Sequence, residues 1–224
     1  MPRYYTEKLG AGRLRACYEL APPAIRAYLE GEISFVRKRI PQDALVLELG
    51  CGYGRVLREI AGAGRTIVGI DTAIASLAMA REHVPGGPPP HLAAMDAARM
   101  AFGDRVFDLT FCIQNGISAF GVDQPGLVRE AARVTRSSGL VLFSSYTAGI
   151  WDDRLAWFRL QAAHGLIGEI DEEATGNGVI ACKDGFRAST VSAGDFARMT
   201  ASAGLSSRIF EVAGSSLFCE IDAP

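Results

Sequence analysis

The segment Glu48-Leu49-Gly50-Cys51-Gly52-Tyr53-Gly54-Arg55 has the residue types of a ligand turn. Glycine has no Cβ, so a turn built from it lets backbone come within contact distance of a bound molecule. The preceding Ala44-Leu45-Val46-Leu47 reads as a buried strand, which makes the glycines a strand-to-helix turn. In an open α/β sheet that place, beyond the carboxyl end of a strand, takes nucleotide-type ligands. Glu48 narrows the class, because a carboxylate beside the turn repels a pyrophosphate and suits a cationic ligand. The spacing agrees. A dinucleotide turn needs Gly-x-Gly-x-x-Gly, whereas here the third glycine comes one residue early and Arg55 stands in its place.

The elements needed to position this turn are readable around it. Apolar residues recur at helical spacing through residues 1–40, from Leu9 and Leu14 to Ile33, Val36 and Ile40, and Pro41-Gln42-Asp43 ends that region. After the turn, Arg55 to Ala63 predicts a helix closed by Gly64, and Thr66 to Asp71 a second strand ending in an acid. Thr72 to Val84 predicts a helix, Pro85 to Pro90 a loop and His91 to Met95 a third strand ending at Asp96. Phe107 to Ile113 is a fourth strand, Pro125 to Thr135 a helix, Ser137-Ser138-Gly139 a turn and Leu140 to Ser145 a fifth strand. This alternation implies right-handed βαβ units on a parallel sheet. Beyond residue 145 the pattern changes. Trp151 to His164 predicts an amphipathic helix, Gly178 to Cys182 and Phe186 to Thr190 a hairpin about Lys183-Asp184-Gly185, and Phe196 to Ala203 a helix. Ser206 to Val212 and Ser216 to Ile221 form a closing hairpin.

The acidic glycine turn resembles motif I of the class I S-adenosylmethionine (SAM)-dependent methyltransferases, written E/D-x-G-x-G-x-G. SAM carries a sulfonium and an α-amine and has no phosphate. The resemblance covers residues 44–145 closely and 192–221 loosely, and it implies a Rossmann-like, seven-stranded, mostly parallel sheet with an antiparallel closing hairpin. It divides the chain into an N-terminal helical lid (1–43), a SAM-binding core (44–150), a substrate cap inserted after strand five (151–191) and the C-terminal part of the core (192–224). It implies SAM-binding roles for Glu48, Gly50, Cys51, Gly52, Gly54 and Thr72. Asp71 becomes the acceptor of the ribose hydroxyls, and the same Asp is also placed to cap the helix after it. Asp96 becomes the partner of the adenine amine, with Ala97 presenting its backbone N–H; a turn or cap Asp is the other reading. Residues 107–120 resemble motif IV and its following loop, with Cys112, Ile113 and Gln114 at the methionine end and Asn115 toward the methyl acceptor. Asn115-Gly116 is also a common turn dipeptide. The loop departs from Asn/Asp-Pro-Pro-Tyr, the motif that amino-methylating DNA and related enzymes use, so a nucleobase or glutamine acceptor is not implied.

His164 ends a helix, where it is either a surface residue or a catalytic base. Tyr4, Tyr5 and Arg13 precede the core where similar enzymes place a lid. Five cysteines without CxxC spacing predict reduced thiols in a cytoplasmic protein; Cys112, Cys182 and Cys219 together raise a soft acceptor such as arsenite, against buried apolar roles. With 224 residues, 49% apolar and 21% charged content and a net charge of −2, the chain fits one elaborated α/β domain. There is no basic stripe for nucleic acid, no apolar run that spans a membrane, and no apolar signal segment in the first residues. The expected function is methyl transfer from SAM to a small-molecule acceptor, leaving S-adenosylhomocysteine (SAH), in a monomer or homodimer without a metal. No His-carboxylate pair stands in a motif position, which favours N- over O-methylation. The alternatives are a protein or RNA acceptor and a non-catalytic SAM-binding protein. An insertion of this length after strand five is expected to shape the acceptor site.

Overall fold

Seven strands make one sheet in the spatial order β3-β2-β1-β4-β5-β9-β8. They are β1 (Leu45–Leu49), β2 (Thr66–Asp71), β3 (His91–Ala94), β4 (Phe107–Cys112), β5 (Thr135–Tyr146), β8 (Arg208–Val212) and β9 (Ser216–Asp222). The first five pair in parallel, and β9 and β8 close the sheet antiparallel to β5. The structure is a computed structural model that describes residues 3–62, 65–83 and 90–224. The reversal of strand order at β1 and β4 opens a crevice beyond their carboxyl ends, where the glycine turn and the loop after β4 both emerge.

Helices cover both faces, as a sheet with buried, near-continuously apolar strands requires. Leu127, Val128 and Ala131 of α6 (Gln124–Val134) and Phe196 and Met199 of α8 (Ala193–Ser202) pack with Leu47, Leu49 and Phe143 on one face. Ile33 and Val36 of α3 (Pro23–Arg37), Val56, Leu57 and Ile60 of α4 (Arg55–Ile60) and Leu77 of α5 (Ile74–His83) pack with Val46, Phe111 and Leu142 on the other. Their ends follow sequence signals. Asp123 caps α6 by accepting from Gly126 N, and Ser192 and Asp195 form a reciprocal capping box on α8.

A third apolar cluster lies beyond the carboxyl end of β5, from which it takes Tyr146. Leu9, Cys17 of α2 (Gly12–Glu19), and Ile25 and Tyr28 at the start of α3 pack there. They meet Trp157 and Phe158 of α7 (Trp151–Ala163) and Ile180 and Phe186 of the hairpin formed by β6 (Val179–Ala181) and β7 (Arg187–Ser189). Segments 1–43 and 151–191, distant in sequence, thus share one core above the strand ends. The short α1 (Arg3–Glu7) joins it through the Tyr4 hydroxyl, which donates to Asp184 Oδ2 at 2.6 Å.

Two expectations are corrected. Ser137-Ser138-Gly139 is not a turn before the fifth strand; β5 runs unbroken from Thr135 to Tyr146 and absorbs these residues as an irregularity opposite Phe107–Leu109. Ser138 takes φ 64°, and a Cβ on Gly139 would sit 2.8 Å from Arg136 O and 2.9 Å from Asp108 O, so the bulge needs glycine there. The first βα helix ends at Ile60, capped by Ala61, rather than at Ala63. Its expected Gly64 stop, the last residue of the helix to Val84 and all but Pro90 of the loop expected over Pro85 to Pro90 lie outside the described residues.

Candidate functional site

The carboxyl ends of β1, β2 and β3 and the loop after β4 border one cavity of about 300 Å³. Glu48, Gly50, Cys51, Gly52, Asp71, Thr72, Asp96, Ala97, Ile113, Gln114 and Asn115 all line it. The turn is held by the strand beside it. Gly50 N and Cys51 N donate to Ile70 O at 2.8 and 2.9 Å, and Gly52 N donates to Asp71 Oδ2 at 2.9 Å. Asp71 Oδ1 accepts from Ala73 N at 2.8 Å, so each carboxylate oxygen fixes one backbone amide and keeps further lone pairs for a ligand. Asp96 Oδ1 accepts from Ala98 N at 2.9 Å while its side chain stays exposed to the cavity mouth. Gly54 is different. It does not border the cavity, and a Cβ on it would lie 3.0 Å from Ala80 Cβ, so this glycine serves the approach of α4 to α5.

Glu48 is 5% exposed and its Oε2 has no hydrogen-bond partner. Burial pushes its carboxyl up to about 8, against the pull of the Arg55 guanidinium, and Asp71 adds to the rise. Arg55 lies over the Tyr18 ring at 4.3 Å and donates through Nη2 to Gln114 Oε1, joining α4 to the loop after β4.

That loop turns through two consecutive left-handed residues, Gln114 (φ 60°) and Asn115 (φ 59°). Gln114 N donates to Glu32 Oε2 at 2.6 Å and to Ser144 Oγ at 2.8 Å, and its Nε2 donates to Leu29 O at 3.2 Å. The Glu32 carboxyl is pushed up to about 7 by burial, against hydrogen bonds from Ser144 and Gln114. Asn115 accepts from Ser145 Oγ at 2.7 Å and gives its amide hydrogens to Ser118 Oγ at 2.8 Å and Ser189 O at 3.0 Å. Its side chain therefore clamps the loop to β5 and to the cap strand β7. His164 is exposed at the end of α7 with Nδ1 3.0 Å from Leu160 O, and it does not border the cavity.

The cap closes the far side. On α7, the buried residues Arg154, Trp157, Phe158 and Gln161 follow helical spacing, and all four line the cavity. The hairpin contributes Phe186 and Ala188 rather than its tip, where Lys183 pairs with Glu169 and Asp184 binds Tyr4. From the lid, Tyr5 reaches the cavity, while Arg13 donates to Gly165 O and Leu166 O and ties α2 to the cap. Arg55, Phe120, Arg154 and Gln161 were not singled out as site residues by the sequence. A signal existed for two of them: Arg154 and Gln161 are polar members of an otherwise aromatic helical stripe, which points to a lined cavity rather than to a packed core.

The methyltransferase-domain family matches residues 46–139, which run from β1 through the bulge of β5. Residues 46–139 are a methyltransferase domain. Two curated relatives are each 29% identical. A ubiquinone biosynthesis O-methyltransferase of Methylobacterium nodulans aligns over 107 residues, 46% of this chain and 42% of its own. A malonyl-[acyl-carrier protein] O-methyltransferase of Serratia marcescens aligns over 104 residues, 46% of this chain and 39% of its own. The aligned part of the chain thus spans less than half the length of either relative. Among solved structures, the magnesium protoporphyrin IX methyltransferase of Synechocystis, with bound SAH, superposes with a TM-score of 0.63 at 17% identity. That superposition covers 99% of this chain and 97% of the other, so lid and cap share the overall fold as well.

SAM is the methyl donor of class I methyltransferase domains, and the residues present fit it. The buried Glu48 Oε2, which has no partner, suits a cationic amino-acid end, and the backbone of Gly50 and Gly52 borders the cavity where a Cβ would crowd Phe120 and Leu14. The five cysteines are free and buried, and no metal cluster of His, Cys, Asp and Glu occurs among the described residues. No described helix is long and apolar enough to cross a membrane.

The raised carboxyls of the methyltransferase domain and lid have a measurable consequence. Glu32 and Glu48 lie above the ordinary value of 4.5, at about 7 and about 8. Between those limits the folded chain binds more protons than the unfolded one. Their stabilising contribution is complete below the ordinary value and is lost as pH rises through 7 and 8. Thermal melts of ligand-free protein are expected to show Tm falling across that window, and falling less in Glu48→Gln. Superimposable pH profiles for the two proteins would show that Glu48 is already ionised in the ligand-free fold.

Proposed function

We propose that the chain transfers the methyl group of SAM to a small-molecule acceptor and releases SAH. The observation that carries this reading is the buried Glu48 carboxyl at the glycine turn, whose Oε2 has no hydrogen-bond partner, in one cavity with Asp71 and Asp96 from the next two strand ends. In this reading Glu48 receives the cationic amino-acid end and the Gly50–Gly52 backbone backs it. Asp71, beside Thr72, accepts from the ribose hydroxyls through its remaining lone pairs. Asp96 and the Ala97 backbone face the adenine edge. Ile113 and Gln114 border the methionine portion, and Asn115 acts by holding the acceptor loop against the cap. His164 lies away from the cavity and receives no role.

When bound, the donor supplies an electrophilic methyl group on a sulfonium. The chain's own contribution is alignment of the acceptor and exclusion of water, which supplies several kcal/mol in oriented displacements. The cavity continues past Gln114 to Trp157 and Phe158, which supports an acceptor site and thus a catalytic protein over a binding protein. The aromatic cap over that end supports a small acceptor over a protein or RNA. The expected preference for an amine gains nothing from the two curated relatives, both named as O-methyltransferases.

Calorimetric titration with SAH is the test. Binding in the micromolar range, about −8 kcal/mol, is expected, together with a rise in Tm. No heat and no thermal shift with SAM or SAH would end the reading.

A further inference from the structure

Arg154 is 0% exposed, yet the described residues contain no carboxylate paired with it. Three hydrogen bonds fix the guanidinium: Nη1 donates to Gly178 O at 3.0 Å and to Thr190 Oγ1 at 2.7 Å, and Nη2 donates to Ala188 O at 3.1 Å. A guanidinium has five N–H donors. Among those not used is the Nε–H, which is buried without a partner. Two turns along the same face, Gln161 is 2% exposed, borders the same cavity and has an unpartnered Nε2. Between these two donors stand Trp157 and Phe158, and the Tyr146 ring lies 4.4 Å from the guanidinium.

A buried cation with no counter-ion is costly; the rings of Tyr146, Trp151 and Phe158 and the Tyr146 hydroxyl meet part of that cost, and the unpartnered Nε–H is the donor left for a ligand. We propose that the methyl acceptor is an anion, a small aromatic carboxylate, whose carboxylate group accepts from the unpartnered Nε–H of Arg154 while its ring lies against Trp157, Phe158 and Tyr146. Gln161 takes a second polar substituent. A phosphate fits less well, because its further charged oxygens would face those aromatic walls. This inference rests on the proposed methyl-transfer reading and adds the class of acceptor.

The test uses SAH-saturated protein, so that binding of SAH is measured first and separately. Absence of SAH binding defeats the methyl-transfer reading. With SAH bound, 4-hydroxybenzoate is titrated against 4-hydroxybenzamide, and indole-3-acetate against indole-3-acetamide. At least one acid is expected to bind about ten-fold or more tightly than its amide, the scale of a charge-assisted contact. Arg154→Gln, which retains donors for the cap carbonyls, is expected to bind SAH normally and to lose that preference. Arg154→Lys is expected to keep part of it. Acids that bind no better than their amides, or not at all, overturn the proposal. So does a preference that survives unchanged in Arg154→Gln. The wild-type comparison decides the matter even where a variant fails to fold.

Discussion

Gly52→Val is expected to abolish SAH binding in a chain that still folds. Gly52 takes φ +52°, a region that β-branched residues essentially do not occupy. A Cβ there would also come within 3.2 Å of Leu14 Cδ2 on the lid helix α2. Valine must therefore move the turn, and moving the turn breaks the 2.9 Å bond from Gly52 N to Asp71 Oδ2 and displaces the backbone that borders the cavity. Gly54→Ala is the informative control. Gly54 packs on Ala80 outside the cavity, so that change is expected to lower Tm while leaving the affinity per folded molecule near wild type. Wild-type SAH affinity in Gly52→Val would show that the turn does not approach the ligand.

Asp71→Ala is expected to raise the SAH dissociation constant roughly 100-fold, the scale of two lost hydrogen bonds to a charged acceptor. The structure gives this residue two duties. Its oxygens hold Gly52 N and Ala73 N at 2.9 and 2.8 Å, and their outward lone pairs face the cavity. The variant should accordingly lose some thermal stability as well, because the turn between β1 and α4 is untethered. Asp71→Asn, which keeps one acceptor oxygen and loses the charge, is expected to fall between. If Asp71→Ala lowers Tm but binds SAH with wild-type affinity per folded molecule, the carboxylate is a latch for the turn and contributes nothing to the ligand.

The parts of this protein legible in its sequence are those whose physics is local. A four-residue apolar run before Gly50-x-Gly52-x-Gly54 specifies a strand and a turn because burial and φ > 0 are properties of single residues and their neighbours. The alternation of strands and helices then specifies a parallel sheet, since right-handed crossovers leave few ways to connect them. From that point Glu48, Asp71 and Asp96 must converge, because each lies at or just beyond the carboxyl end of a strand and the ends of parallel strands share one edge. Local reasoning misjudged Ser137-Ser138-Gly139, whose turn-forming residues are accommodated inside β5 because pairing with β4 and β9 outweighs their local preference.

The sequence placed a lid and an insertion opposite those acids; only the tertiary structure decided which side chains they present there. The lid and cap are more than a hundred residues apart, and their shared core of Cys17, Tyr28, Trp157 and Phe186 has no trace in the periodicity of either segment. The side of α7 that faces the cavity, and so the burial of Arg154 and Gln161 along its wall, depends on that docking. The same packing made Asn115, which still borders the cavity, a clamp on Ser145 and Ser189, and it left His164 outside the cavity. Spacing along a chain determines which residues share a face. Which face meets which is set by the burial of surfaces from distant segments, and the role of each polar side chain follows from the partner that burial supplies or withholds.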